Sequence, residues 1–221
     1  MKTAEARQPV HIGKVILNAR IFKFREPRIS VNDSSLLEAV NRFFALLDEH
    51  WVEYLLVGDI VLLQYVEGRN SEEIQIILSS SSLDRLPELR KTGQDGDSVQ
   101  ADFDGIQIGL LLTRNPLFDD VRRRYATRQR FIEREIPCAT PEGLVLLKLY
   151  VLPSLYRQGD LTLAALYETD ILTLMHRQRV DPEPLLGELE SHLSGTDLRA
   201  LRGIADEIRQ RIERFADQEA G

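Results

Sequence analysis

Cysteine is nearly missing from this 221-residue chain, with Cys138 the single example. No disulfide can close within it, and no set of thiolates is available to a metal. Histidine is scarce too: the four, at 11, 50, 176 and 192, show no metal-ligand spacing. Long apolar runs are absent. Charges such as Asp59 and Lys148 interrupt the stretches that exist, so none reads as a bilayer span. The opening MKTAEARQPV has no apolar segment of the kind a signal peptide needs. The expectation is a cytoplasmic protein with no membrane partner. No glycine-rich phosphate loop, GxGxxG or GxSxG pattern occurs. An excess of base is also lacking. The formal charge is -7, which argues against sequence-blind DNA binding, where neutralising phosphates supplies most of the affinity.

What is present is core material. Apolar residues make up 43% of the chain, enough to bury a core and to argue against disorder. No internal repeat or low-complexity linker divides it. The apolar, partly β-branched run Val15 to Phe24 reads as a strand. Ser35 and Glu38 have capping-box spacing, and Leu37, Val40, Phe44 and Leu47 share one helical face, so 36–50 reads as an amphipathic helix. Tyr54 to Val57 is a short buried strand ending at Gly58. Ile60 to Val66 reads as a buried helix closed by Gly68. Glu73 to Leu78 is a second strand, and a short helix follows near 83–90. After a polar loop at 93–98, Asp104-Gly105 joins Val99–Phe103 to Ile106–Leu112 as a hairpin with a type I′ turn. Asn115-Pro116 opens another helix, and Phe131 to Ile136 reads as a last strand. Helices then run from Thr140 to about Tyr156 and near 161–176, 182–193 and 197–216. The order predicts an α/β (α+β) fold: residues 1–137 as a mixed α/β domain, and 138–221 as a helical region packed on it.

Five segments carry a family resemblance. Tyr54-Leu-Leu-Val-Gly58 follows a helix. Gly68-Arg69-Asn-Ser-Glu-Glu73-Ile-Gln75-Ile and Gly105-Ile-Gln-Ile-Gly109-Leu-Leu come next. Downstream, Ile136-Pro-Cys-Ala-Thr-Pro-Glu-Gly-Leu-Val-Leu-Leu-Lys148-Leu precedes Arg157 and Asp170-Ile-Leu-Thr-Leu. In this order they resemble minimal nucleotidyltransferases and AbiEii-like abortive-infection toxins over roughly residues 36 to 190. The resemblance implies a mixed sheet flanked by helices. It implies phosphate binding around Gly58, Asp59, Arg69 and Ser71, and metal-holding positions at Glu73, Gln75 and Gly109. It also implies catalytic roles for Glu73 and for Lys148.

The chemistry of such a site shows how far this chain departs from it. Nucleotidyl transfer displaces pyrophosphate while two magnesium ions clamp the attacking and leaving oxygens. Magnesium prefers carboxylate oxygens. Residues two apart on a strand share a face, so an Asp-x-Asp pair aims both carboxylates at one place. Here Glu73 keeps the charge, Gln75 loses it, and Gly109 stands where the third aspartate belongs. Asp59 replaces the second residue of a glycine pair and sets a carboxylate against the phosphates. The resemblance thus implies a degenerate site needing no cofactor, in a chain that acts through a protein partner in the manner of a toxin–antitoxin pair. The alternative is an active enzyme that uses Mg2+ and a nucleoside triphosphate to modify RNA or protein.

Plainer readings stand beside these. Glu73 and Gln75 also suit ordinary solvent-facing strand positions. Lys148, inside an apolar helix, either snorkels or pairs with an acid. The arginines at 122, 123, 124, 128 and 130 would suit an RNA partner. Asp119, Asp120, Glu133 and Glu135 flank them and would equally make a salt-bridged surface.

Overall fold

The computed structural model describes residues 9–23, 33–66 and 71–219. The chain divides into two compact units, Met1–Ala139 and Thr140–Gly221. The first is built on short apolar strands that demand burial. They are β1 (Tyr54–Val57), β2 (Glu73–Leu78), β4 (Ser98–Phe103) and β5 (Ile106–Leu112). Three further strands complete the sheet: β3 (Arg90–Asp95), β6 (Ala126–Arg130) and β7 (Glu135–Ala139). Together they form one mixed sheet in the order β3-β4-β5-β2-β1-β7-β6. The expected α/β class is therefore the observed one. β1 and β2 are antiparallel, while β2 and β5 run parallel with Glu73 opposite Gln107 and Gln75 opposite Gly109.

One face of this sheet is apolar. Ile74, Ile76, Ile108 and Leu110 are fully buried on it, each worth about 1.5–3 kcal/mol of transfer free energy. Helix α2 (Asp33–Glu49) supplies part of the cover, and Phe43 meets Phe103 with ring centroids 5.7 Å apart. Asp104 and Gly105 both have positive φ, as a type I′ turn requires. Arg42 of α2 pairs with Asp104 at 2.8 Å, fixing the hairpin turn beside the helix. Two small helices, α3 (Gly58–Leu62) and α4 (Ser80–Leu83), link strands, and α5 (Pro116–Arg124) packs on β2 and β5. The second unit is all-helical: α6 (Pro141–Gln158), α7 (Leu161–Gln178), α8 (Pro182–Leu189) and α9 (Gly195–Glu219). Thr140 caps α6 by accepting from the Gly143 N–H, and Gly159 ends it at positive φ. Among the described residues no helix is long and apolar enough to cross a membrane.

Several sequence expectations are corrected. The run from Val15 is part of a helix, α1 (Ile12–Lys23), because Ile12, Ile16 and Ala19 repeat at helical spacing and are buried; Phe24 lies outside the described residues. Ser35 sits inside α2, which already begins at Asp33, so it is not the cap. α3 begins at Gly58, two residues ahead of the expected start, and Gly68 lies outside the described residues. The helix expected at 83–90 is the four-residue α4, and the first half of the expected polar loop belongs to strand β3. The last strand begins at Glu135 rather than Phe131, after the unforeseen β6.

Candidate functional site

The parallel register of β2 and β5 assembles the site in two rungs across the sheet face opposite Ile74 and Ile76. In the first rung Glu73 lies beside Gln107, and Gln107 beside Asp102. In the second Val57 lies beside Gln75, Gln75 beside Gly109, and Gly109 beside Gln100. Because side chains alternate across a strand, all of these project to one side. The expected residues Gly58, Glu73, Gln75 and Gly109 are thereby brought together. Gln100, Gln107 and Asp102 join them, although sequence reasoning assigned none of these three to the site. Polar residues alternating with Val99, Ala101, Ile106 and Ile108 were the available signal. Asp102 is engaged by Arg90 at 3.3 Å and by the Gln107 amide at 3.4 Å.

Close approach governs this face. A Cβ on Gly109 would stand 2.2 Å from Glu73 Oε1 and 2.8 Å from Gln75 Cγ. The side chains of Glu73 and Gln75 thus fill the space that an aspartate at 109 would need. Gly58 has φ of 73°, and a Cβ there would lie 2.7 Å from Gln75 Oε1. Glycine is required at 58 on both counts. Asp59 follows in the first turn of α3. Ser71 Oγ donates to the Glu73 carbonyl at 2.8 Å and accepts from the Glu73 N–H at 3.3 Å. Its hydroxyl is spent on shaping the start of β2. Arg69 lies outside the described residues.

Burial raises the Glu73 carboxyl above its ordinary pKa of 4.5; a hydrogen bond with Gln100 opposes that rise, and the nearby Asp59 charge adds to it. Among the described residues buried Glu73 Oε1 has no hydrogen-bond partner. An orphaned buried acceptor costs about 1–3 kcal/mol. The linkage sign follows from the raised pKa. The folded state holds this proton more tightly than the unfolded chain, so the penalty is absent below the unfolded pKa. It develops as pH rises through the folded pKa and persists above it. Glu73→Gln is therefore expected to stabilise the protein by about 1 kcal/mol at neutral pH. The gain should vanish in acid, as followed by urea titrations at a series of pH values. A variant that is less stable at neutral pH would show that the carboxylate is satisfied after all.

Lys148, on α6 in the second unit, is buried with its Nζ 3.0 Å from Asp170 Oδ2 of α7. The Tyr167 ring covers the ammonium at 4.1 Å from its centroid. Of the arginines, Arg122 bonds Asp119 and Glu53, Arg123 bonds Asp119, and Arg128 lies 3.7 Å from Glu135. Arg124 stacks on Tyr125, and Arg130 is exposed.

Comparison with known proteins begins with absence: no protein-family model matches the sequence, and no curated protein does. Solved structures do match. The chain is similar to an antigenic nucleotidyltransferase-like protein from Paracoccidioides brasiliensis, at a TM-score of 0.53 and 14% identity, over 93% of this chain and 92% of that one. The fold is nucleotidyltransferase-like. The antibiotic-resistance factor ANT(2'')-Ia also aligns, at a TM-score of 0.48 and 9% identity, over 82% of this chain and 96% of that one. In this nucleotidyltransferase-like chain the residues do not fit a magnesium pair. Among the described residues no three His, Cys, Asp or Glu side chains gather as a metal would need. Of the three positions that the resemblance would give to metal, Glu73 alone carries a carboxylate, and its side chain reaches over Gly109.

Proposed function

We propose that this nucleotidyltransferase-like protein no longer performs metal-dependent nucleotidyl transfer and acts by binding, as a regulatory protein of the AbiEii-like, toxin–antitoxin type. One observation carries this reading: Glu73 and Gln75 fill the space over Gly109. A Cβ at 109 would meet both side chains, 2.2 Å from Glu73 Oε1 and 2.8 Å from Gln75 Cγ. An amide at 75 and a glycine at 109 remove two of three charges that would offset magnesium dehydration, which is reluctant. Asp59 opposes a triphosphate at the same place. The ion-paired arginines of α5 and β6 favour a mixed-charge protein partner over RNA.

The test is a calorimetric titration with each of the four ribonucleoside triphosphates, with and without Mg2+. No magnesium-dependent binding and no pyrophosphate release are expected. Tight magnesium-dependent binding would overturn the reading in favour of an active transferase using Glu73.

A further inference from the structure

Among the described strands β3 (Arg90–Asp95) is the outer one of the sheet, paired on one side only, with β4. All six of its residues are exposed. Its ladder decides which backbone groups are left over. The Leu112 N–H bonds Asp97 O at 2.8 Å, and β4 pairs with β5 in unbroken register from Ser98–Leu111 to Phe103–Ile106. Backbone groups alternate sides along a strand. Val99, Ala101 and Phe103 therefore turn theirs to β5, and Ser98, Gln100 and Asp102 turn theirs to β3. The residues facing these three on β3 are Asp95, Gly93 and Arg90. That leaves the N–H and C=O of Lys91 and Gln94 turned to the open edge, where they are a template for another strand.

A β-bulge decides which strand fits. The register slips between Lys91 and Gly93 and leaves Thr92 as the extra residue. In a regular strand residues five apart project to opposite faces. The slip instead brings Arg90 and Asp95 onto one face, that of Asp102 and Ser98 opposite them. A two-fold axis perpendicular to a sheet leaves each face on its own side. A second β3 laid antiparallel, with that axis between Thr92 and Gly93, sets Arg90 opposite the other copy's Asp95 at both ends. Lys91 then lies opposite Gln94, and both outward-turned pairs can exchange their backbone bonds. Thr92 meets Gly93, which has no side chain to obstruct it. Asp95 enters no ion pair among the described residues. Arg90, 75% exposed, touches Asp102 at 3.3 Å, and the five donors of a guanidinium leave capacity for a second carboxylate.

We infer that β3 is a self-association strand, through which two copies of the chain join edge to edge into one continuous sheet. Charge complementarity selects a second copy as the occupant. The strand runs from base at Arg90 to acid at Asp95, so it complements itself when antiparallel and repels itself when parallel. The bulge, which elsewhere blunts an edge, is here what aligns the two charges. The pairing uses β3 of both copies, so association through it stops at the dimer. The contact does not depend on what the Glu73 face binds.

The test uses purified full-length protein from micromolar to millimolar concentration. Mass is followed by analytical ultracentrifugation, and amide exchange by nuclear magnetic resonance. The expected result is a monomer–dimer equilibrium in which the Lys91 and Gln94 amides exchange more slowly as the dimer forms, because they pass from water into a ladder. Asp95→Lys and Arg90→Glu each set like charges against one another twice, and each is expected to weaken the dimer about ten-fold. Mixed in equal amounts, the two variants should form a heterodimer about as tightly as the parent dimerises, since every facing pair is again of opposite sign. Both positions are exposed, and circular dichroism of each variant checks that the fold is kept. A monomer at every concentration overturns the inference. So does a dimer in which the Lys91 and Gln94 amides exchange as freely as in the monomer, or a mixture that associates no better than either variant alone.

Discussion

Asp170→Ala is expected to cost about 3–5 kcal/mol of stability, the range for stranding one member of a buried ion pair. The side chains of Lys148 and Asp170 are 6% and 1% exposed, so solvent screens neither. With Asp170 gone, Lys148 would keep the Tyr167 ring 4.1 Å from its ammonium, and a desolvated cation over an aromatic face is worth about 2 kcal/mol. In a chain of this size the melting temperature should fall by about 10 °C. Lys148→Met alone should also destabilise, because it takes the ammonium away from the buried carboxylate. The pair Lys148→Met with Asp170→Leu should recover most of the loss, since apolar replacements of a buried ion pair are commonly neutral or better. Denaturant titrations of the three variants and the parent close the double-mutant cycle. If Asp170→Ala loses less than about 1 kcal/mol, the pair is not the fastener of α6 to α7. The geometry also bears on chemistry. A lysine held by a carboxylate and capped by a ring would have to leave both before it could meet a phosphate.

Some of this arrangement was legible beforehand, and the reasons divide cleanly. β1, β2 and the β4–β5 hairpin announced themselves because short runs, apolar in β1 and alternating polar with apolar in β2 and β4, bounded by Gly58, by Asp104-Gly105 and by serines, have few alternatives. For Lys148 an acidic partner was one of the readings left open, on the cost of burying an unpaired ammonium. The identity of that partner was not legible, because Asp170 lies on the next helix and helix–helix register does not show in one sequence. β3 was invisible because all six of its residues are exposed. β6, Ala-Thr-Arg-Gln-Arg, was hidden similarly: edge strands lack the apolar alternation that reveals a half-buried one. α1 was misread because β-branched residues at Val15, Ile16 and Ile21 suggested a strand, while the spacing of Ile12, Ile16 and Ala19 carried the helical period. At the site, family likeness put Glu73 and Gln75 on one strand and Gly109 on another, and Gln75 lies opposite Gly109. That the first two side chains occupy the third position's space is a fact of three dimensions.

Gly109→Asp on its own is expected to destabilise the protein by about 2 kcal/mol, the middle of the range for overpacking. The new Cβ would sit 2.2 Å from Glu73 Oε1, and the hydrogen bond to Gln100 resists the movement Glu73 would need. Gly109→Ala should cost a similar amount, which separates crowding from charge. Shortening the neighbours reverses the result. Glu73→Asp with Gln75→Asp removes a methylene from each side chain that overhangs Gly109, so Gly109→Asp can then be accommodated. Three carboxylates would face one another, and their repulsion should leave the variant unstable without a cation. Adding Asp59→Gly withdraws the charge set against the phosphates. The four-fold variant is expected to bind a ribonucleoside triphosphate with Mg2+ where the parent does not, and to be stabilised by about 2.7 kcal/mol when ligand exceeds the dissociation constant a hundred-fold. Calorimetry and thermal melts with Mg2+, with nucleotide and with both provide the readout. Turnover is not required, because transfer also needs an acceptor held in place. A variant that folds normally and ignores magnesium and nucleotide together would show that positions 73, 75 and 109 do not correspond to metal-holding positions. Relief of crowding without metal binding would leave the packing account standing and remove the site's descent from a transferase centre.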